Sequence, residues 1–159
     1  VRHGTTNLFA ALEVHTGQVH TDCLPRRRTS EFLSFMDKVS AAYPAKPELH
    51  VIMDNLSTHS GPDVDAWLIE HPNVTLHYTP TGSSWMNMVE SWLGIITRQA
   101  IRRGTFTSLR HLILKIEEYV THWNANAEPF EWTATAEQIL EKVAILQRDY
   151  RKLLANNSK

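Results

Sequence analysis

The chain alternates between strand-like and helix-like segments, and this alternation is the strongest constraint on its fold. Residues 5–14 and 18–24 are predicted as two strands joined by a hairpin-type turn at residues 15–17. The next apolar residues recur at helical spacing after Thr29 or Ser30, either of which can cap a helix. The chain therefore begins with an antiparallel pair and then enters a helix.

The alternation continues beyond this first helix. Residues 48–55 predict a strand whose unbroken apolar run suits burial on both faces. A helix opening at Gly61-Pro62 and closed by Pro72 follows, then a short strand and a long helix ended by Gly104. The predicted ranges are 73–80 for that strand, 85–103 for the long helix, and 109–124 and 133–154 for two final helices.

The resulting order is β-β-α-β-α-β-α followed by helices, which indicates an α/β fold with a mixed sheet flanked by helices. It resembles a ribonuclease-H-like sheet, which opens with three antiparallel strands; here two precede the first helix, so we expect the first strand to be missing. We predict one domain over residues 1–159, with a helical extension over residues 105–159.

The amino-acid composition and net charge exclude several classes of protein. With 42% hydrophobic and 21% charged residues, the chain has the composition of an ordinary soluble protein. No apolar run approaches the ~20 residues of a membrane helix, so no membrane association is expected. The single cysteine, Cys23, excludes an internal disulfide or a cysteine-cluster zinc site and fits a reducing cytoplasm. The net charge of −1 means that any polyanion site must come from local clusters.

Two acids stand out by their context. Asp54 ends the apolar strand and precedes Asn55, Thr58 and His59. Glu90 lies among bulky apolar residues on the long helix, where a desolvated carboxylate would need a compensating cation. On that helix the residues at spacings of three and four predict one apolar stripe, formed by Trp85, Met88, Val89, Trp92 and Ile96. The alternative interpretations are a turn residue for Asp54 and a solvated or salt-bridged residue for Glu90.

Four motifs together resemble the DDE transposases of bacterial insertion sequences, in the branch related to mariner-type elements. They are VIMDN, STH, HYTPTGSSWMNMVESWLGIITRQAIRRGTF and PFEWTATAEQIL. The resemblance covers nearly the whole chain. In that family the second catalytic Asp ends a strand, and the third acid follows about 34 to 36 residues later in an Asn–x–x–Glu segment. Asp54, Asn87 and Glu90 stand in this pattern, with 35 residues between the two acids.

The resemblance implies phosphoryl transfer on DNA, cleaving at the element's end and joining that end to target DNA. Three carboxylates would hold two Mg²⁺ or Mn²⁺ ions, with Asp54 bridging both ions and Glu90 ligating one. It also implies a homodimer that holds two element ends. The family's first Asp should lie on a strand before Val1; Glu13 and Asp22 occupy the wrong strands to replace it. We therefore expect an N-terminally truncated catalytic domain.

Five further residues are candidates for DNA contact. His59 either contacts the scissile phosphate or supports the metal site, or is a loop histidine bonded to backbone. The remaining candidates share the third-acid helix or its start, and the arginines also suit a helix C-terminus. These residues are Asn87, Arg98, Arg102 and Arg103.

Two rival functions stay open. One is a ribonuclease-H-like nuclease that cuts without strand transfer. The other is a catalytically incomplete fragment that only binds DNA or a partner. A small-molecule enzyme would need a glycine-rich phosphate loop, and Thr81-Gly82-Ser83-Ser84 is too short a signal for one.

Overall fold

The computed structural model describes residues 4–44, 48–80, 87–102, 104–131 and 135–157. Strands and helices follow one another in the predicted order. A single 3₁₀ turn, Ser57–His59, follows the third strand, and a π-helical turn, Thr97–Ile101, continues the third helix. The bounds are β1 Asn7–Leu12, β2 Val19–Leu24, α1 Thr29–Ala41, β3 Leu49–Met53, α2 Pro62–Glu70, β4 Val74–Tyr78, α3 Met88–Ile96, α4 Leu109–Ala125 and α5 Ala136–Asn157.

The four strands pair two by two. β1 and β2 are antiparallel, in a register that runs from Asn7 opposite Leu24 to Leu12 opposite Val19. β3 and β4 are parallel. Within the described residues no hydrogen-bonded ladder joins the two pairs, so β1 and β3 each have one unpaired edge. The antiparallel and parallel pairings expected of a mixed sheet are therefore both present, one in the two-stranded β1–β2 ribbon and the other in the two-stranded β3–β4 ribbon.

Strand β1 is covered by helices on both faces. Because successive side chains of a strand point to opposite faces, Phe9 and its neighbours Leu8 and Ala10 enter different clusters. Phe9 packs against the cluster around Phe32 of α1, whereas Leu8 and Ala10 pack against the cluster around Trp92 of α3. β1 thus lies at the centre of the layered arrangement.

The first core cluster joins α1 and α2 to the β3–β4 ribbon. Its apolar positions recur at helical spacing on the helices and at alternate positions on the strands, as expected for one buried face of each element. Met53, the last residue of β3, is buried here, which anchors the end of the strand from which Asp54 projects. The buried members are Phe32, Met36, Met53, Val64, Trp67 and Val74.

The second core cluster joins α3 and α4 to the β1–β2 ribbon. Trp92 and Ile96, one turn apart on α3, are both 0% exposed. Their spacing belongs to the apolar stripe predicted for this helix, in which Met88 and Val89 are half-buried. Trp85, the predicted first member of the stripe, lies outside the described residues. α3 is therefore fixed with one face on β1 and β2.

The start of the outer edge of β2 is bonded by a side chain of α4. The amide of Asn124 accepts a hydrogen bond from the Val19 N–H at 2.8 Å and donates one to the Val19 carbonyl oxygen at 2.9 Å. A second tie joins the same helix to the hairpin, since the Trp123 indole N–H donates to the Gly17 carbonyl oxygen at 2.9 Å. The end of α4 is thus held against the β1–β2 turn.

Two local predictions are wrong. Residues of β3 were expected to be covered on both faces, but His50 is exposed and Ile52 is 57% exposed, because no described helix covers the outer face of the β3–β4 ribbon. The cap of α1 is Arg28, which makes no side-chain capping bond, and Thr29 is already the first helical residue.

The last helix, α5, stands apart from the rest. It is 22 residues long, and no described strand or helix packs extensively against it. Ile139 and Val143 are half-buried, while Leu140 is 67% exposed. Among the described residues, no helix is both long enough and apolar enough to cross a membrane.

Candidate active site

Asp54 lies at the carboxyl end of the parallel β3–β4 ribbon. β3 ends at Met53, which is opposite Tyr78, the last residue of β4. The next residue, Thr79, donates from its N–H to the Met53 carbonyl oxygen at 2.8 Å and is buried. The carboxyl ends of parallel strands are where α/β proteins commonly place ligands. Asp54 therefore projects from the edge at which both strands leave the sheet.

His59 is held directly against Asp54. Its Nδ1 atom lies 3.1 Å from Asp54 Oδ1 and 3.1 Å from the Asp54 carbonyl oxygen. The 3₁₀ turn brings the two residues together, since the His59 N–H donates to the Leu56 carbonyl oxygen at 3.0 Å. The His59 ring packs on Phe32, with 4.5 Å between ring centroids. With 15% of its side chain exposed, His59 is a positioned group rather than a free loop residue.

Tyr78 supports this turn, and sequence reasoning did not identify it. Its hydroxyl donates to the His59 carbonyl oxygen at 2.6 Å. Burial raises the pKa of Tyr78, and the nearby Asp65 charge raises it further, so the phenol stays protonated and able to donate. The sequence signal that could have identified Tyr78 is its position at the end of the predicted strand 73–80, because that strand pairs in parallel with β3.

Glu90 occupies the first turn of α3. Asn87 caps this helix: its side-chain oxygen accepts from the Val89 N–H at 3.4 Å, and its carbonyl oxygen accepts from the Glu90 N–H at 3.0 Å. A carboxylate in the first turn is favoured by the helix dipole. The expectation that apolar neighbours desolvate Glu90 is wrong: Trp92 turns into the core and Glu90 is exposed.

Arg98 and Arg102 lie beyond Glu90 on the same continuous helix, and both are exposed. The Arg98 guanidinium folds back towards Gly94, where an added Cβ would lie 3.6 Å from its Nη1 atom, so this cation reaches towards the turn that carries Glu90. Neither arginine forms an ion pair with a carboxylate of the described residues. Arg103, the third predicted contact, lies outside the described residues.

Asp54 and Glu90 carry the type of ligand that a hard cation prefers, but two carboxylates are fewer than a complete metal site needs. Asp54 and Glu90 offer carboxylate oxygens, which Mg²⁺ and Mn²⁺ prefer. In the part of the chain that the structure describes, no three His, Cys, Asp or Glu residues are grouped so that they could hold a metal ion. A complete site therefore needs an oxygen ligand in addition to those described.

The two described grooves lie away from Asp54 and Glu90. Two grooves of about 500 Å³ each lie along α4, one lined by Trp123 and Phe130 and the other by Phe106 and His111, with Tyr119 shared between them. Neither groove includes Asp54 or Glu90.

Comparison with known proteins identifies the family of the chain. Residues 1–113 match the family model described as "DDE superfamily endonuclease". The chain is 25% identical over 114 residues to "Insertion element IS630 uncharacterized 39 kDa protein" of Shigella sonnei, an alignment covering 70% of this chain and 33% of that protein. The chain thus spans about a third of the length of that curated relative.

A solved structure shares the fold. It is described as "CryoEM structure of simian T-cell lymphotropic virus intasome in complex with PP2A regulatory subunit B56 gamma". The superposition has a TM-score of 0.55 at 16% identity and covers 71% of this chain and 41% of that one. The integrase of such an assembly has a ribonuclease-H-like fold, which confirms the predicted fold class. The chain belongs to the DDE endonuclease superfamily and is similar to the catalytic domains of insertion-sequence transposases.

Proposed function

We propose that this chain supplies the second and third acids of a DDE transposase, which cuts DNA at the ends of a mobile element and joins those ends to target DNA. The observation that carries the proposal is the position of Asp54, held by His59 at the carboxyl edge of the β3–β4 ribbon. Glu90, 36 positions later in the first turn of the next helix, supplies the other acid.

Each described residue has a defined part in this reaction. Asp54 and Glu90 would hold two Mg²⁺ or Mn²⁺ ions, which when bound lower the pKa of an attacking water or 3′-hydroxyl and stabilise the leaving 3′-oxygen. His59 fixes the orientation of the Asp54 carboxylate through its 3.1 Å contact. Arg98 and Arg102 neutralise DNA phosphates beside Glu90, and Asn87 secures the start of the helix.

We infer that the first acid lies between the two ribbons. β1 and β3 each have an unpaired edge, and both pack on α1 through the cluster that contains Phe9 and Val51. A strand inserted there would hydrogen-bond to both edges and bring its side chains next to Asp54. We propose that such a strand, from outside this sequence, carries the first catalytic Asp.

The partners follow from the same reaction. The substrates are the terminal repeats of the element and a target DNA, and a homodimer would hold the two element ends together. The bacterial cytoplasm, at the nucleoid, is the proposed place of action. The Asp54 side chain is 30% exposed at the carboxyl end of the β3–β4 ribbon, which supports contact with a DNA phosphate there.

Two alternatives stay distinct from this proposal. A ribonuclease-H-like nuclease would cut the element end without joining it to a target. A DNA-binding fragment would retain affinity for DNA but have no metal-dependent activity. The second alternative would apply if no further acid joins Asp54 and Glu90 at the edge of the sheet.

The test is carried out in a full-length protein that includes the first acid. Asp54→Asn and Glu90→Gln are each expected to abolish cleavage of element ends and joining to a target plasmid, while circular dichroism and thermal unfolding stay unchanged. Asp63→Asn, which removes an exposed acid from the first turn of α2, is the matched control and should act normally. Normal transposition by either site variant would overturn the assignment.

A joining assay and calorimetry separate the alternatives. Cleaved ends without joined products would identify the nuclease. Titration of Mg²⁺ into the 159-residue chain should give weak binding, because two of the three carboxylates are present. A full-length protein that binds DNA but shows no Mg²⁺-dependent cleavage would identify the binding fragment.

A further inference from the structure

Residues 26–28, which connect β2 to α1, are three consecutive arginines and are called the basic segment below. All three side chains are exposed. None of them forms an ion pair with a carboxylate of the described residues. The nearby cation Lys38, by contrast, is paired with Asp22. The basic segment therefore presents its guanidinium groups to solvent rather than to an acid of the fold.

One acid follows the basic segment closely. Glu31 lies in the first turn of α1, and its carboxylate accepts a hydrogen bond from the Ser30 hydroxyl at 2.8 Å. Three arginines and one glutamate leave a net charge of +2 over residues 26–31. This stretch is thus a local positive patch on a chain whose net charge is −1, and it suits an anionic partner.

The fold places the basic segment on the side of the molecule that carries Asp54. The ring of Phe32, the fourth residue of α1, packs on the ring of His59 with 4.5 Å between their centroids. His59 in turn lies 3.1 Å from Asp54 Oδ1. Arg28 precedes Phe32 by about one helical turn, a rise of about 5.4 Å. The end of α1 that bears the arginines is therefore the end that contacts the Asp54–His59 pair.

We propose that the basic segment binds backbone phosphates of the element-end duplex next to the phosphate that is cut. This inference rests on the proposed function, because cutting at Asp54 is what brings the duplex to this side of the fold. Duplex DNA carries one negative charge per ~1.7 Å of its axis, so further phosphates flank the one at Asp54. Guanidinium groups bind phosphate oxygens through paired N–H donors, which favours arginine over lysine at such a contact.

The first test measures how binding depends on salt. Fluorescence anisotropy follows the full-length protein on a labelled element-end duplex, without divalent metal so that the DNA is not cut. Arg26→Gln/Arg27→Gln should reduce the slope of log affinity against log salt concentration by about two, one for each lost phosphate contact. The matched control, Arg148→Gln/Arg151→Gln, removes the same charge from exposed positions on α5 and should keep the original slope.

Arg28 is tested alone because it also occupies the cap position of α1. Its side chain makes no capping bond, so Arg28→Gln should leave thermal unfolding unchanged. The same variant should reduce the salt slope by about one. An unchanged slope would remove Arg28 from the proposed contact and overturn the proposal for the segment as a whole.

Neutral phosphates locate the contact on the DNA. Methylphosphonates next to the cleavage point should weaken binding of the unmodified protein more than binding of Arg26→Gln/Arg27→Gln, because the variant has already lost its partners there. Methylphosphonates in a distant part of the duplex should affect both proteins equally. Equal weakening by the substitutions next to the cleavage point would overturn the proposal.

Failure of this proposal is distinguishable from failure of the proposed function. Both binding measurements are made without cleavage, so they report on the arginines whatever the role of Asp54. Asp54→Asn should abolish cleavage, whereas Arg26→Gln/Arg27→Gln should still cleave normally at saturating protein concentration, because the phosphates that it contacts do not react. Loss of cleavage by the arginine variant at saturation, or an unchanged salt slope, would overturn the assignment of the basic segment and leave that of Asp54 intact.

Discussion

The Nδ1 atom of His59 lies 3.1 Å from the Oδ1 atom of Asp54 and 3.1 Å from the carbonyl oxygen of the same residue. One ring nitrogen therefore engages both the side chain and the backbone of the acid that follows β3. The contact restricts rotation of the carboxylate and leaves Oδ2 available for a cation. His59 is in turn positioned by the Phe32 ring and by the hydroxyl of Tyr78.

Replacement of His59 should weaken metal use without removing a metal ligand. We expect His59→Ala to raise the Mg²⁺ concentration required for half-maximal DNA cleavage about tenfold, as is typical when a group that orients a ligand is lost. Cleavage by the full-length protein across a Mg²⁺ titration measures this. His50→Ala, on the exposed face of β3, should leave the titration unchanged. An identical Mg²⁺ dependence of both variants would contradict a positioning role.

Stability should fall in mild acid because of His20. Burial lowers the pKa of His20 below 6.5, with the charge of Glu13 opposing this in part, and the ring is hydrogen-bonded to the Tyr43 hydroxyl at 2.8 Å. The unfolded chain therefore takes up a proton at a higher pH than the folded chain does. The contribution of His20 to the free energy of unfolding is fully present above pH 6.5, and it is lost as the pH falls towards the lowered pKa of His20 in the folded chain.

Urea unfolding of the 159-residue chain at pH values of about 7.5 and about 5.5 tests this linkage. His20→Asn should show a smaller loss of unfolding free energy between the two pH values than the unmodified chain. His15→Asn, which changes an exposed histidine in the adjacent turn, should retain the original pH dependence. Equal pH dependence in the His20 variant and the unmodified chain would show that His20 is not responsible.

Trp92 should be the most costly core residue to truncate. It is 0% exposed and packs edge-on to Trp123, with 6.3 Å between ring centroids. Trp92→Ala is expected to lower the free energy of unfolding by about 3–5 kcal/mol, and Ile69→Ala, at an 81% exposed position, by less than about 0.5 kcal/mol.

A second variant at this position separates packing from hydrogen bonding. The Trp92 indole N–H is buried without a hydrogen-bond partner among the described residues. Trp92→Phe should therefore lose packing but no hydrogen bond, and should cost less than Trp92→Ala. Denaturant unfolding measures all three changes. A Phe variant as unstable as the Ala variant would indicate that the indole N–H makes a bond in solution.

Arg102 should contribute to DNA binding through charge alone. If it contacts one phosphate, Arg102→Ala will reduce the slope of log affinity against log salt concentration by about one, equally for different DNA sequences. Fluorescence anisotropy with short duplexes measures that slope. Lys115→Ala is the control, since Lys115 is paired with Glu118 at 2.6 Å on α4. An unchanged slope for the Arg102 variant would remove this residue from the interface.

The order of the elements could be predicted from sequence because periodicity and turn residues are local signals. The Gly61-Pro62 start of α2 and the end of β3 next to Asp54 were both predicted in this way. The expected apolar stripe of α3 was also confirmed at Trp92 and Ile96, where burial follows directly from helical spacing.

The predictions were wrong where the burial of a residue depends on which other element of the fold packs against it. Ile52 is apolar, yet no described element covers it, and nothing in its own neighbourhood in sequence could reveal that. Glu90 has bulky neighbours in sequence, but the helix turns them inwards and leaves the acid in solvent. The bond from Tyr78 to the His59 carbonyl oxygen depends on the register of β4 against β3, which spacing along the chain does not determine.

The side-chain amide of Asn124 imitates one residue of a neighbouring strand, and this imposes a direction of growth on the β1–β2 ribbon. Further backbone pairing is obstructed on β2 at Val19, whereas no described side chain makes such a pair of bonds to the free edge of β1. Addition of an intruding strand, from this protein or from an aggregating neighbour, is thereby steered into the interior of the fold and away from its rim.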